Sequence, residues 1–411
     1  MVATKPNLDE ALKCIRCGLC QAVCPVFGAV GSEPSVARGK VQLIRALDEG
    51  NLSPSDALKK FVFLCLNCGA CTANCPSGVN IGELIVTARA HLMAELGQPY
   101  VEKFLLRGLA ASAGRLEVGA KGLALYQKTG LRWLARKVGL LDVAPGRLRE
   151  KDDLLPASSF RTAKATFPRV SGPGDARQMV AYYVGCATNL FDHRVGRAVI
   201  DVLTRRECQV IIPGHLECCG MPHRNVGDLE TAAVLQRKNV EALNRAEADA
   251  IVVDCATCGS TLKGYKGLNA PVYDISEYVV NVLGFGDDAR SLSGTVTYHD
   301  PCHLVRGQGI GAAPRELLKS IEGLIFREMS EADRCCGGGG SFALTHYDIS
   351  MRILDRKMGN IAETGAEIVA SGCPSCRLQL KQGVLMELRK DSRAVTKRRV
   401  VHPVELLAEA R

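Results

Sequence analysis

Residues 14–25 read CIRCGLCQAVCP, and residues 65–76 repeat the string as CLNCGACTANCP. Both follow C-x2-C-x2-C-x3-C-P, with cysteines at Cys14, Cys17, Cys20 and Cys24 and at Cys65, Cys68, Cys71 and Cys75. Three closely spaced thiolates on a turn can grip three irons of one cube. The fourth cysteine, set off by three residues and a proline, faces the other cluster. The spacing therefore predicts one cubane [4Fe-4S] cluster on Cys14, Cys17, Cys20 and Cys75, and a second on Cys65, Cys68, Cys71 and Cys24. Gly18 and Gly69 let the backbone approach the sulfides and donate N–H groups to them. Zinc favours two C-x2-4-C pairs in a closed tetrahedron, and two complete strings ending in proline do not fit it.

Working outward, the roughly forty residues between the strings carry helical patterns such as GKVQLIRALDEG, and ELIVTARAHLMAEL follows them. Residues 1–98 therefore read as a helical, ferredoxin-like domain holding two clusters. Residues 99–177 are a basic helical segment followed by a turn-rich linker. From residue 178 the chain repeats itself. Cys186, Cys218 and Cys255 are followed by Cys302, Cys335 and Cys373 at offsets of 116, 117 and 118 residues. The wording repeats too: Cys218-Cys219-Gly220 matches Cys335-Cys336-Gly337, and the pair Cys255/Cys258 matches Cys373/Cys376. Self-similarity at one period means two copies of one structural unit, here residues 178–290 and 291–411.

Each copy alternates strand and helix. MVAYYVG, CQVIIP and AIVVD read as strands in the first copy, and GTVTYHD, LIFREM and EIVAS in the second. Long helical patterns separate them. Such alternation predicts short parallel sheets with right-handed crossovers, with the cysteines just past the carboxyl ends of the strands. The fold class is α+β and multidomain. Each copy offers five thiols: Cys186, Cys218, Cys219, Cys255 and Cys258, then Cys302, Cys335, Cys336, Cys373 and Cys376. Five is one more than a cubane needs, so the count points to an unusual cluster or to a cubane with a spare thiol. The C-x-x-C pairs lie at helix N-termini, which lowers thiol pKa values.

The bulk numbers agree. The chain has 411 residues, is 47% hydrophobic and 23% charged, and holds nineteen cysteines. Its start, MVATKPNLDE, has no apolar leader core, and no apolar run is long enough to span a bilayer. Cysteine-rich, unexported and large together argue for metal ligation in a reducing compartment, the cytoplasm, rather than for disulfides. The net charge is +9. Between residues 99 and 151, eleven Lys/Arg stand against four Asp/Glu, which leaves +7 there. Apolar residues interleave with these charges at helical spacing, as in LRWLARKVGLL. Two readings follow: a surface for an acidic partner or anionic lipid headgroups, or a solvated helical linker whose apolar stripe packs on the core. Nothing points to nucleic acid.

The five-cysteine pattern resembles the CCG domain of heterodisulfide reductase catalytic subunits, where each complete set holds a noncubane [4Fe-4S] cluster. The whole layout is similar to the iron–sulfur subunit of glycolate oxidase and its D-lactate dehydrogenase relatives. The stretch Arg38-Gly39-Lys40 with VQLIR and the stretch CCGGGGSFALTHYDISMRILDRKM carry that resemblance as well. It implies two noncubane clusters beside the two cubanes. It also implies an FAD-containing dehydrogenase partner that oxidises glycolate or D-lactate, and transfer of electrons to a quinone, with the inner membrane surface as a partner, or to another carrier. Related expectations are a disulfide reductase, the small subunit of an anaerobic glycerol-3-phosphate dehydrogenase and, in another class, a zinc-stabilised scaffold.

No Walker A string and no G-x-G-x-x-G after a strand is present, so no flavin or nicotinamide site is expected here. No residue is singled out as catalytic. Cys208, outside every set, reads as a small buried hydrophobe. His299, Asp300 and His303 flank Cys302, and two readings follow: a ligand or proton-relay role, or a hydrogen bond to a cluster sulfur, which is the favoured one. His193, His215 and His223 read as ordinary polar contacts.

Overall fold

The computed structural model describes residues 8–143, 148–285, 291–390 and 398–410. The first seven residues and Arg147 of the basic segment lie outside that set. The N-terminal region is helical. Val41, Ile44 and Leu47 from the helix Ala37–Asp48 meet Leu84, Ile85, Ala88 and Leu92 from the helix Ile81–Leu96, with Leu58 and Val62 between them. The apolar spacing of three and four in each helix makes one stripe, and these stripes close on each other. Cys14, Cys20, Cys65, Cys71 and Cys75 pack against this core.

The C-terminal half contains two sheets. In the first, β1 (Val170–Ser171), β3 (Cys208–Ile211), β2 (Gln178–Tyr183), β4 (Ala250–Val253) and β5 (Val272–Asp274) lie in that order. In the second, the order is β7 (Glu322–Phe326), β6 (Ser291–Tyr298), β8 (Ile368–Ala370) and β9 (Arg399–Val401). All pairs are parallel except β1 with β3. Removing β1 leaves two sheets of one topology, as the repeat requires. The three-residue strands β5 and β9 are too short to show a period of two in the sequence. Each leads into a capped helix: Asp274 with Glu277 and His402 with Glu405 form equivalent capping boxes.

The sheets share a core. Val180 and Tyr182 of β2, Val296 and Tyr298 of β6, and Leu406 and Leu407 of the final helix belong to one apolar cluster. The fully buried Arg377 of the second module pairs with Asp192 of the first at 2.5 Å. The stretch 163–171, which reads as linker, packs on the first module. Ala163 and Phe167 enter its core, and β1 extends its sheet.

The basic segment is helical, with helices Ala113–Lys128 and Leu131–Lys137. It is tied to the first module through Arg107–Asp228, and the Asn189 amide donates to Glu117. Many of its large apolar residues do not close on the core. Tyr100, Val101, Phe104, Trp133, Val138 and Leu140 are all exposed, whereas Ala120 and Ala124 are buried.

Candidate iron–sulfur centres

One cavity in the N-terminal region is lined by Cys14, Cys17, Cys20 and Cys75, and a second by Cys24, Cys65, Cys68 and Cys71. The fourth cysteine of each string thus faces the other string's first three. Local geometry brings this about. Gly18 and Gly69 sit at φ +88° and +71°, a left-handed turn that folds each triplet back on itself. Cys24 then caps the helix Pro25–Val30, whose proline holds the chain's exit direction. Backbone N–H groups of Phe27, Asn67 and Val79 reach the sulfurs of Cys24, Cys65 and Cys75, each at 3.4 Å. Cationic side chains face both cavities. Arg38 lies near Cys17 and Cys20. Lys40, 2% exposed, donates to the Ser35 carbonyl beside Cys65, Cys24 and Cys71. Burial lowers its pKa and the neighbouring thiols oppose that shift. Burial likewise pushes the Cys24 thiol up to about 11.

The ten C-terminal thiols form one connected row. In the first module Cys186 neighbours Cys218, Cys218 neighbours Cys219, Cys219 neighbours Cys258 and Cys258 neighbours Cys255. Cys255 neighbours Cys373 of the second module. The row continues through Cys376, Cys336 and Cys335 to Cys302. Cys335 also shares an apolar cluster with Cys68, a thiol of the second N-terminal cavity. The adjoining thiols Cys218 and Cys258 hold Cys219 well below the usual thiol range. Cys335 and Cys376 do the same for Cys336, and Cys255 and Cys376 for Cys373. Against the lowering expected of both C-x-x-C pairs, Cys373 alone is lowered, and adjoining thiols rather than the helix N-terminus are the first cause. Cys255 is pulled down by Cys258, but Cys373 and burial raise it overall. Cys258 and Cys376 are raised by their adjoining thiols.

The adjacent-cysteine turns are held by the long helices. Asn239 of Leu229–Asn244 donates to the Cys218 carbonyl at 3.0 Å. Ser350 of Tyr347–Thr364 donates to the Gly337 carbonyl at 2.9 Å. Gly337 has φ +86°, and a side chain there would lie 2.8 Å from the Ser350 carbonyl, so only glycine completes this turn. Each module also has a cation facing its thiols. Lys164 lies near Cys186 and donates to the Leu216 carbonyl. Lys357, 2% exposed, lies near Cys336 and Cys335 and donates to the Glu331 and Ala332 carbonyls. Converging thiols, aimed N–H groups and an inward cation at every site are what an anionic iron–sulfur cluster needs.

The remaining expected residues separate clearly. Cys208 is buried in the apolar core, where burial raises its thiol to about 11. Asp300 is held bidentately by Arg315 at 2.8 and 2.7 Å and takes part in no thiol row. His303 Nδ1 meets the Thr257 hydroxyl at 2.9 Å, and that hydroxyl is 3.7 Å from the Cys373 sulfur. His299 stands among Cys336 and Cys376. His193 and His223 meet the carbonyls of Asn189 and Leu106. The facing cation Lys164 had no sequence signal, whereas Arg38, Lys40 and Lys357 sit in the two stretches that stood out by resemblance.

Family profiles match the chain in three regions: a cysteine-rich CCG domain over residues 180–263 and 296–381, a 4Fe-4S dicluster domain over 10–79, and the linker region of the glycolate oxidase iron–sulfur subunit over 97–155. A probable glycolate oxidase iron–sulfur subunit from Bacillus subtilis (strain 168) is 32% identical, covering 99% of this chain and 96% of that one. One chain of the CoM/CoB fumarate reductase from Methanothermobacter marburgensis is 28% identical over 91% of this chain and 68% of its own length. Lactate utilization protein A from Bacillus cytotoxicus is 31% identical over 56% of this chain and 98% of its own length.

Proposed function

The chain belongs to the family of the glycolate oxidase iron–sulfur subunit, and we propose that it is the electron relay of a flavin-dependent 2-hydroxy-acid dehydrogenase. The observation that carries this reading is the row of thiols running from Cys186 to Cys302 and on to Cys68. Two cubane sites and two five-thiolate sites follow one another along it. Residues 1–98, 178–290 and 291–411 are read as the units that hold them, with 99–177 between. Clusters bound there supply single-electron transfer with little reorganisation, which splits the two-electron load of a flavin. The chain's own part is to hold the sites in sequence and to offset their charge with Arg38, Lys40, Lys164 and Lys357.

The two ends of the row differ. At the first cubane site Cys17 is exposed, and Leu12, Ile15 and Leu19 stand exposed around it. A patch of this kind beside a redox centre suits docking of the FAD-containing subunit. At the other end, the basic segment rests on the first module and carries exposed apolar residues among its cations. Lys137 lies 4.6 Å from the Trp133 ring. Among the described residues Lys103, Arg115, Lys121 and Lys151 have no ion pair. That composition suits the headgroup layer of an anionic membrane, on the cytoplasmic face, where a quinone can take the electrons. No described helix is long and apolar enough to cross a membrane.

Anaerobic co-purification tests the reading. A flavoprotein that brings glycolate or D-lactate:dye activity supports it, and heterodisulfide reduction by this chain alone would overturn it. That second chemistry keeps one observation in its favour, the His303–Thr257–Cys373 contact, which brings a proton-carrying ring to the row.

A further inference from the structure

The two modules differ chemically at one repeated position. Three residues before Cys186 stands Tyr183, and three before Cys302 stands His299. Tyr183 donates its hydroxyl to the Glu217 carbonyl at 2.7 Å and is tied off there. His299 is 1% exposed. One of its ring nitrogens lies with the sulfurs of Cys336 and Cys376, all three atoms within 4.8 Å of one another.

The tautomer decides what that ring can do. His299 Nδ1 is 3.1 Å from the Ala332 carbonyl oxygen. A carbonyl only accepts, so Nδ1 carries the proton and Nε2 of the neutral ring is a lone pair. A lone pair cannot donate to a sulfide or thiolate. An imidazole anchored through Nδ1–H to a backbone carbonyl is the arrangement in which histidine ligates metals.

We propose that the second module would bind its cluster through six donors, five thiolates and His299 Nε2, the histidine joining the set on the side of Cys336 and Cys376. The first module, with Tyr183 in that place, binds through sulfur alone. This rests on the reading that both modules carry clusters.

The test is pulsed EPR on anaerobically prepared full-length protein labelled with 15N-histidine, with iron counted in parallel. The expected result is a directly bonded nitrogen coupling that survives His303→Gln and disappears in His299→Phe at unchanged iron content. Should His299→Phe fail to fold, the coupling in labelled His303→Gln protein, compared with unlabelled protein, carries the assignment. A second module shown by iron count to hold its cluster but lacking the coupling overturns the histidine ligand alone. If Cys335→Ser removes no iron, the cluster reading and the ligand fall together.

Discussion

Cys255 of the first module and Cys373 of the second stand side by side. Each begins a C-x-x-C pair and sits where its chain enters a helix. The two repeats therefore bring their ligand sets together as well as sharing a core. A single connected series of centres follows, and each of its parts has its own expected behaviour.

The crossed ligation of the N-terminal strings is testable by pairing substitutions. Cys24→Ser with Cys68→Ser should damage one cluster, because both thiols line one cavity. Cys24→Ser with Cys17→Ser should damage two. Spin quantitation of the reduced variants reads the difference. The opposite pattern would mean that each string closes on itself.

Lys357→Met removes a cation that faces Cys335 and Cys336. Reducing a cluster adds negative charge, so a nearby cation favours the reduced state. The midpoint potential of one centre should fall by about 60 mV, a tenfold change in a one-electron equilibrium. Redox-poised EPR measures it, and the potentials of the N-terminal cubanes should stay in place.

Asp274 contributes one part of the pH dependence of the stability. Burial raises its carboxyl from 3.8 to about 7, and one of its oxygens has no hydrogen-bond partner. The folded state then binds a proton that the unfolded chain releases above pH 3.8. Stability from this group is fully present below the unfolded value and declines as pH rises toward 7, with no further loss beyond it. Asp274's contribution should be smaller at pH 8 than at pH 5.5, opposing the gain over the same window from buried histidines such as His299 and His402, and is read as the difference in Tm slope between the wild type and Asp274→Asn. Asp274→Asn keeps the cap that accepts from the Ser276 N–H and should remove that contribution. An unchanged slope would remove Asp274 from the account.

The exposed face of the basic segment should bind vesicles containing anionic lipid and release them at high salt. Trp133→Glu with Leu140→Glu should abolish flotation with the vesicles and leave the iron content unchanged. Flotation that persists in the variant would place the contact elsewhere.

Much of this organisation is legible in the sequence because ligand spacing is local. The strings at 14–25 and 65–76 and the repeated Cys-Cys-Gly turns need only short-range geometry. What escapes is tertiary. Nothing local marks Lys357 or Lys164 as facing thiols, since each is a lysine within an ordinary helix. Nor does the sequence reveal that Cys335 meets Cys68 or that Cys255 meets Cys373, contacts made only when separate units pack. The strands β5 and β9 are too short to declare a period, and β1 lies in a stretch whose glycines and prolines read as linker. The apolar residues from Tyr100 to Leu140 had a reading as a stripe packed on the core. Tyr100, Val101, Phe104, Trp133, Val138 and Leu140 stand exposed, while Leu116 lines a cavity with Lys164 and with Cys186 and Leu216 of the first module.

The central claim is four iron–sulfur centres in one connected series, and metal analysis of anaerobically purified protein tests it most directly. Iron and acid-labile sulfide should be found at four irons for each of four centres, with Mössbauer spectra showing two cubane environments and two of another kind from the five-cysteine modules. Zinc in place of iron, or iron sufficient for the two cubanes alone, would contradict it.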